Sequence, residues 1–318
     1  MDLDTDRYLE SYAMAELIPL APAGTPPQAA PAPRPRRPEW LKARAPSGEN
    51  YADVHRLMRE KGLNTVCEEA RCPNIGECWN HRTATFLLLG DTCTRGCRYC
   101  AIGKGKPKPI DEAEPERVAD SVAHLQLRFA VLTAVNRDDT PDGGAHIFAR
   151  TIELIRQRVP ECKVEVLIPD FDGNWDALQV VLEAQPDVLN HNIETVPRIF
   201  RRFRPRAGFA QSIELLARAR AFDSSLVTKS GMMVGAGETN AEVLEVMDAL
   251  RSADVNVMTI GQYLAPDSSY WPVDRYVTPA EFATFREEGL RRGFRHVESG
   301  PLVRSSYHAH LHVGAHQH

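Results

Sequence analysis

Three cysteines with the spacing C-x3-C-x2-C follow an apolar run, TFLLLGD. They are Cys93, Cys97 and Cys100. Three thiolates on one short loop can hold three irons of a [4Fe–4S] cube, which leaves the fourth iron open to a substrate or cofactor. Arg95 or Arg98 could offset the negative charge of such a cluster. A structural zinc site usually takes four ligands, often as paired C-x2-C knuckles, and fits this spacing poorly.

A second group of three cysteines lies upstream with the spacing C-x4-C-x5-C. Its members are Cys67, Cys72 and Cys78. Another set of three thiolates predicts a second [4Fe–4S] cluster, and core or zinc-binding cysteines are the alternative. Six of the seven cysteines fall between residues 67 and 100. In a chain without secretory features, such clustering favours metal binding over a disulfide framework.

The composition is that of a globular protein, with 43% hydrophobic and 25% charged residues among 318. No run of eighteen apolar residues occurs, which argues against a membrane span. The net charge of −5 gives no general reason to expect nucleic-acid binding. The sequence MDLDTDRYLE at the start is acidic and resembles neither a secretory signal nor a transit peptide, so we predict a cytoplasmic protein.

Apolar runs alternate with amphipathic stretches after the cysteines. The predicted strands are 84–89, 129–134, 164–168, 188–191, 226–234 and 255–263. The predicted helices are 51–61, 115–125, 145–158, 175–184, 210–222, 241–251 and 279–291. Nearly continuous apolar strands separated by helices indicate a parallel sheet, and six such units predict an α/β fold, a partial (β/α)6 TIM-type barrel with N- and C-terminal extensions. A doubly wound sheet is the alternative, because periodicity cannot separate the two.

Four segments follow from these patterns. Residues 1–38 include eight prolines from Pro19 onwards, a composition typical of a disordered extension. Residues 39–83 carry the second cysteine group, 84–300 form the barrel, and 301–318 form a C-terminal segment that ends in a histidine-rich tail. The first cysteine group would then follow the first barrel strand, at the face where barrels of this kind place their active sites.

The C-x3-C-x2-C loop, with the aromatic Tyr99 before its last cysteine, resembles the radical S-adenosylmethionine superfamily. Together, CEEARCPNIGECW and GDTCTRGCRYC resemble the lipoyl synthase family within it, and the resemblance runs from about Pro38 to Ala309. Further matching stretches are NHNIET at 190–195, KSG at 229–231, GETN at 237–240, GQYL at 261–264 and RSSY at 304–307. Some positions depart from the family pattern, among them Asn136, where aspartate is usual, and Tyr270, where histidine is usual.

The resemblance implies a specific reaction. Lipoyl synthases insert two sulfur atoms, at carbons C6 and C8, into an octanoyl chain held in amide linkage to a lysine of a carrier domain. They carry two [4Fe–4S] clusters and consume two S-adenosylmethionine molecules per product, and the auxiliary cluster supplies the sulfur. Implied partners are octanoylated carrier domains (the H protein of glycine cleavage or a 2-oxoacid dehydrogenase E2), a ferredoxin or flavodoxin type electron donor, and an iron–sulfur carrier for cluster repair. No nucleic acid or membrane is implied.

The resemblance also implies site residues. In the family, the auxiliary cluster takes a serine of the RSSY motif as its fourth ligand, here Ser306, or Ser305 in its place. Candidate contacts to S-adenosylmethionine follow the ends of predicted strands or lie in the first cysteine loop. They are Tyr99, Asn136, Asn192, Glu194, Gly235, Gly237 and Glu238. For the serines, the alternative is a turn in a C-terminal loop, and for Glu194 it is a helix-capping network.

Five arginines between residues 198 and 206 could dock an acidic carrier domain, although a solvated basic helix face is the alternative. Two other functions remain open. A methylthiotransferase acting on tRNA or a ribosomal protein also pairs three cysteines with C-x3-C-x2-C, but usually has wider spacing and a basic C-terminal domain. A non-catalytic iron–sulfur electron carrier would not need a barrel of 200 residues after its clusters.

Overall fold

The computed structural model describes residues 37–42, 46–80, 85–307 and 309. The predicted disordered extension lies outside the described residues except for its last two, as does most of the histidine-rich tail. Ten α-helices are described. They are α1 Glu49–Glu60, α2 Val66–Glu69, α3 Ile75–Asn80, α4 Glu114–His124, α5 Ala145–Arg158, α6 Trp175–Glu183, α7 Pro197–Phe203, α8 Phe209–Phe222, α9 Asn240–Ser252 and α10 Pro279–Arg291.

The strands form one large sheet and one small one. They are β1 Asn64–Thr65, β2 Thr85–Leu88, β3 Thr92–Cys93, β4 Gly103–Lys104, β5 Phe129–Ala134, β6 Lys163–Leu167, β7 Val188–Asn190, β8 Val227–Val234, β9 Val257–Gln262 and β10 His296–Gly300. The large sheet has the order β1-β2-β5-β6-β7-β8-β9-β10, and β3 pairs with β4. Only β1 is antiparallel to its neighbour, and the other seven strands of the large sheet run parallel.

The predicted fold class is confirmed. Each predicted strand is present with bounds shifted by at most two residues, and the successive strands pair in chain order as in a barrel. Strand β10 was not predicted, because its sequence HVESG is mostly polar and half-buried at the edge of the sheet. Helix α7 was also not predicted as a helix, although a proline at its first turn is typical of a helix start.

Two strands of the large sheet next to its edges are completely buried. Strands β2 and β9 are buried at every position, as expected for a sheet covered on its outer face by helices. Helices α9 and α10 each begin with a capping box, in which a threonine and a glutamate three residues later bond to each other's backbone N–H. The parallel strands therefore end at a common rim, where the loops before these helices gather. No helix among the described residues is long and apolar enough to cross a membrane.

A buried ion pair inside the barrel joins β6 and β8, the two strands on either side of β7. Lys229 of β8 donates to both carboxylate oxygens of Glu165 on β6, at 2.9 and 3.0 Å, and both side chains are 0% exposed. The Asn190 amide of β7 donates to the same carboxylate at 2.9 Å. Burial lowers the pKa of Lys229, and the attraction of Glu165 opposes that effect. The three side chains join three adjacent strands below the rim.

Candidate active site

A cavity of about 320 Å³ opens at the rim where the parallel strands end. Five of the six clustered cysteines line it, all except Cys78. The carboxylate of Glu194, the guanidinium groups of Arg204 and Arg304, and apolar side chains such as Met232 also line it. The cavity thus combines soft sulfur donors, charged groups and apolar walls in one place.

The first cysteine loop is held by backbone hydrogen bonds to three other parts of the barrel. Thr94 donates to the carbonyl of Asn136 after β5, and Arg98 donates to the carbonyl of Phe203 in α7. Trp271 donates in turn to the carbonyl of Arg98. Each bond joins the loop to a different strand–helix connection, so the three thiols are held in place by the barrel itself.

Arg95 does not face the thiols of its own loop, which corrects the expectation that it offsets cluster charge. Its side chain is 1% exposed and pairs with Asp138, at 2.8 Å, and with the fully buried Asp170 after β6, at 2.6 Å. Burial alone would lower the pKa of Arg95, but the two carboxylates outweigh it and raise the pKa. Arg95 therefore anchors the loop to the segments that follow β5 and β6. Arg98, which is exposed, does not take part in this anchoring.

The second cysteine group folds around two short helices before β2. Cys67 lies in α2 and Cys78 in α3, and the Cys72 amide between them donates to the carbonyl of Cys67. Burial, followed by repulsion between neighbouring thiols, raises the pKa of Cys67 to about 11 and that of Cys78 to about 12. The protein alone thus keeps these thiols protonated, and ligation as thiolates requires a strongly cationic partner such as iron, with release of protons.

The two cysteine groups fit iron–sulfur clusters better than single ions. No three His, Cys, Asp or Glu side chains in the described part of the chain converge closely enough to hold one metal ion. A four-iron cube does not need such convergence, because each thiolate binds a different iron. Each group offers three soft donors, which is the set that leaves one position open for another ligand.

Residues 301–307, here called the closing segment, bring the RSSY motif to the cavity. The Asn74 amide, between Cys72 and Cys78, donates to the carbonyl of Leu302 at 2.7 Å. The Tyr307 hydroxyl donates to the carboxylate of Glu77 at 3.2 Å. Both bonds join the closing segment to the part of the chain that carries the second cysteine group, and Arg304, Ser305 and Ser306 line the cavity together with Cys67 and Cys72.

Two glycines make room for the closing segment. A Cβ on Gly261 of β9 would collide with the carbonyl oxygen of Val303. A Cβ on Gly231 of β8 would lie 2.5 Å from the Thr259 hydroxyl and 3.2 Å from the Ser305 hydroxyl. The segment therefore crosses the ends of β8 and β9 at a distance that only glycine allows.

For the reaction that the family resemblance implies, we expect Gly261→Ala to reduce sulfur transfer much more than cofactor cleavage. The added methyl group must push Val303 and Arg304 away from β9, because the obstacle is backbone, and the serines that follow would move with them. The first cysteine loop follows β2 and is held by backbone bonds with Asn136, Phe203 and Trp271. Cleavage of S-adenosylmethionine, measured as 5′-deoxyadenosine, should stay within about three-fold, whereas sulfur-containing product falls by about ten-fold or more, as for displaced outer partners of metal ligands. An equal loss of both would place the effect in the barrel as a whole.

Four of the predicted cofactor contacts line the cavity: Tyr99, Asn136, Asn192 and Glu194. One face of the Tyr99 ring stacks on Phe203, with centroids 4.6 Å apart. The Asn136 amide nitrogen lies 3.8 Å from Cys93 Sγ, and its side-chain oxygen is buried without a hydrogen-bond partner among the described residues. An unsatisfied buried acceptor beside a cysteine is suited to the amine of a bound cofactor.

Glu194 joins the first cysteine loop to the end of β7. Its backbone has a φ of 69°, and it bridges to Met232 of β8. Burial raises its pKa, while Arg204 and hydrogen bonds from Asn192 and Tyr99 oppose that rise. Arg204 was grouped with the exposed arginines in the sequence, yet it is buried and donates to the carbonyl of Asn192 at 3.0 Å.

The other three predicted cofactor contacts are not brought into the cavity. The Glu238 carboxylate accepts hydrogen bonds from the amides of Gly235, at 2.5 Å, and Ala236, at 2.9 Å. A Cβ on Gly235 would collide with the side chain of Gln262 and the carbonyl of Arg275. Gly235 and Glu238 therefore shape their own turn, and Gly237, with a φ of 113°, lies in the same turn. The GETN motif alone could not reveal this, because the carboxylate bonds to its own loop.

Other functional candidates came only from the structure. Asn74, Glu77 and Arg304 lie within matching motifs, but sequence spacing gives no sign of their partners some 230 residues away. His191 is buried, and its ring nitrogens contact the Ile168 carbonyl and the Ser212 hydroxyl.

Comparisons with known proteins agree on one family. A model of the radical SAM superfamily matches residues 87–250, and a model of the N-terminal domain of lipoyl synthases matches residues 27–72. The lipoyl synthase of Chloroflexus aggregans is 82% identical over 306 residues, which is 96% of this chain and all of that one. That of Roseiflexus sp. is 78% identical over 305 residues, with the same coverage of both chains.

Solved structures share the fold at low sequence identity. The FeFe-hydrogenase maturase HydG from Carboxydothermus hydrogenoformans has a TM-score of 0.55 and 13% identity, over 84% of this chain and 68% of that one. Streptococcus suis SuiB bound to S-adenosylmethionine has a TM-score of 0.54 and 10% identity, over 79% of this chain and 60% of that one. At these sequence identities the likeness shows the fold alone.

Proposed function

The chain belongs to the lipoyl synthase family of radical S-adenosylmethionine enzymes, and from that membership we propose how its residues divide the work. Its activity is the insertion of two sulfur atoms into an octanoyl group carried on a protein lysine, with iron–sulfur clusters and S-adenosylmethionine as cofactors. The observation that supports the division most directly is that cysteines of both groups, all six except Cys78, line one cavity at the barrel rim.

Cys93, Cys97 and Cys100 would hold the cluster that binds S-adenosylmethionine. When bound, the cofactors would supply a radical able to take hydrogen from the octanoyl chain, and the sulfur that replaces it. The protein's part is placement. Asn136 lies beside Cys93 and has a side-chain oxygen without a hydrogen-bond partner among the described residues. Glu194 contacts the loop through a hydrogen bond with Tyr99.

Cys67, Cys72 and Cys78 would hold the auxiliary cluster, with Ser306 as its fourth ligand. Ser305 is less available, because its hydroxyl contacts the Asn192 side-chain amide at 2.7 Å to nitrogen and 3.0 Å to oxygen. Ser306 also lines the cavity and has no such bond described. An oxygen ligand is harder than a thiolate and suits an iron that must be released during turnover.

Ser306→Ala should therefore stop sulfur transfer while cofactor cleavage continues, and Ser305→Ala should have a much smaller effect. We expect a loss of more than about 100-fold in lipoyl product for Ser306→Ala and about ten-fold or less for Ser305→Ala, since ligand loss exceeds the cost of an outer partner. Anaerobic assays would follow 5′-deoxyadenosine and sulfur-containing peptide separately. The opposite ranking would assign the ligand to Ser305.

The apolar part of the cavity would hold the octanoyl chain. Met232, Met233 and Leu264 line it alongside the thiols, so an alkyl chain could lie between the two cysteine groups. Methionine side chains adapt well to flexible ligands of this kind. Neither the methylthiotransferase nor the electron-carrier alternative is favoured by the relatives, which are lipoyl synthases over nearly the whole chain.

The full assignment has a direct test. The chain, reconstituted anaerobically, should bind about eight irons, four for each cube. Mixed with S-adenosylmethionine, a reductant and an octanoyl-lysine peptide, it should give a product in which two sulfurs replace two hydrogens, with 5′-deoxyadenosine released. Release of 5′-deoxyadenosine without sulfur insertion would contradict the assignment of the auxiliary group, and binding of only about four irons would contradict the two-cluster arrangement.

Three finer statements remain part of this proposal. The carrier would be a glycine cleavage H protein or a 2-oxoacid dehydrogenase E2, with a ferredoxin or flavodoxin type donor and an iron–sulfur carrier that repairs the auxiliary cluster. The reaction would take place in the cytoplasm. The functional division into residues 39–83, 84–300 and 301–318 would separate the auxiliary cysteines, the radical-forming barrel and the closing segment.

A further inference from the structure

Exposed cations without ion pairs gather on one side of the cavity mouth. We call Arg98, Lys104, Arg201 and Arg202 the mouth cations; all four are exposed. No carboxylate of the described residues pairs with any of them. Arg198, one turn earlier on α7, is different, because it pairs with Glu242 at 2.7 Å and bonds to the carbonyl of Gly237. The basic stretch seen in the sequence thus divides into the paired Arg198, the buried Arg204 and three exposed arginines without a described ion pair, two of which are mouth cations.

Three of the mouth cations, Arg98, Lys104 and Arg202, line a cleft with an aromatic wall, and Arg201 precedes Arg202 on α7. Lys104 lies over the Tyr270 ring, 5.2 Å from its centroid, and the Arg202 guanidinium lies 5.4 Å from the centroid of the Trp271 ring. The Trp271 indole donates to the carbonyl of Ala236 at 2.8 Å, and its backbone amide donates to the carbonyl of Arg98. Lys104 and Arg202 therefore contact aromatic rings that leave their charge uncompensated.

This cleft adjoins the active-site cavity. Lys104 lines both, and Arg98 stands between Cys97 and Tyr99 in the first cysteine loop. No acidic side chain is among the residues that line the cleft. Asp267 lies on the same loop as Tyr270, but its carboxylate accepts hydrogen bonds from the amide and hydroxyl of Ser269. A carrier protein whose octanoyl-lysine side chain enters the cavity would place its surface against the residues that line this cleft.

We propose that the mouth cations dock an acidic surface of the carrier protein next to its octanoyl-lysine, an inference that rests on the proposed function. The chain has a net charge of −5, so it would repel an acidic partner everywhere except at a local basic patch. A patch beside the cavity steers such a partner to the one orientation in which the lysine arm points inward. A short octanoyl-lysine peptide, which lacks the carrier surface, would not depend on this patch for binding.

The test compares binding and turnover of two substrates by the reconstituted full chain. The probes are an octanoylated H protein and a short uncharged octanoyl-lysine peptide. We expect the double variant Arg201→Glu/Arg202→Glu to raise the Kd for the H protein by about ten-fold, and to flatten its dependence on salt, because the patch acts through long-range charge. Turnover of the short peptide should stay within about two-fold of the unaltered chain.

Arg128→Glu is the matched control, because Arg128 is exposed and precedes β5, at the end of the barrel opposite the mouth. It should leave the Kd for the H protein unchanged. An unchanged Kd in the double variant would overturn the docking proposal, as would an equal loss with the short peptide. Loss of electron delivery from a flavodoxin type donor, with carrier binding intact, would overturn it in favour of a donor site. Failure of the unaltered chain to convert the short peptide would contradict the proposed function instead, since carrier binding is measured separately.

Discussion

Cys72→Ala is expected to stop sulfur insertion while cleavage of S-adenosylmethionine continues, and Cys97→Ala is expected to stop both. Cys72 belongs to the group joined to the closing segment through Asn74, whereas Cys97 lies in the loop held by the barrel ends. Loss of a ligand should cost more than the 10–100-fold typical of outer partners of metal ligands, so each affected rate should fall by more than about 100-fold. The measurements are 5′-deoxyadenosine, sulfur-containing peptide and bound iron.

The seventh cysteine provides the matched control. Cys162 is buried, and its thiol contacts the carbonyl of Lys163 at 3.5 Å, at the start of β6. It is absent from the cavity lining, so Cys162→Ala should keep both reactions and about eight irons. Cys72→Ala and Cys97→Ala should each retain about four irons. If Cys72→Ala abolished cofactor cleavage as completely as Cys97→Ala, the two groups would not act separately.

Lys229→Met should lower the free energy of unfolding by about 3–5 kcal/mol, the usual result of removing one partner from a buried ion pair. The reason is that Glu165 would keep its charge, or take up a proton, at a position that is 0% exposed, with only the Asn190 amide left to bond to it. Urea unfolding of the chain, followed by circular dichroism, measures the change.

The double variant Lys229→Met/Glu165→Gln should be more stable than Lys229→Met alone, because the unpaired charge is gone. A surface pair gives the comparison. Lys163 pairs with Asp187 at 2.9 Å but is 56% exposed, so Lys163→Met should cost no more than about 1 kcal/mol. Equal losses for the buried and the surface lysine would contradict the expected contribution of the buried pair.

The sequence was sufficient for the barrel because its strands are continuously apolar. The strand from Phe129 to Ala134 and the helix from Ala145 to Arg158 were predicted to the residue. Two of the strands that were not predicted lack a recognisable sequence pattern. Strand β10 is a half-buried edge strand, so it lacks the apolar run that identifies a parallel strand, and the two-residue strand β1 is too short to give a pattern.

The parts of the site that depend on the spacing of residues along the chain were predictable from the sequence. The six clustered cysteines were identified from the sequence alone, because their spacing limits what they can bind. Side-chain direction is different, because it depends on what the fold places opposite. Arg95 follows a ligand in sequence, yet it points to Asp170, and Glu238 bonds to its own turn. The hydrogen bond between Ser305 and Asn192 joins residues that are 113 positions apart, and neither motif indicates it.

The closing segment has a consequence for the order of folding. Asn74 and Leu302 are 228 residues apart, and Glu77 and Tyr307 are 230 apart, so both bonds close a loop that contains the whole barrel. Contacts of such long range form late, because the intervening chain must be ordered before its ends can meet. During synthesis, the cysteines of the first loop can meet their barrel partners at β5 before the closing segment has left the ribosome. We therefore expect the bonds between the closing segment and the second cysteine group to form last.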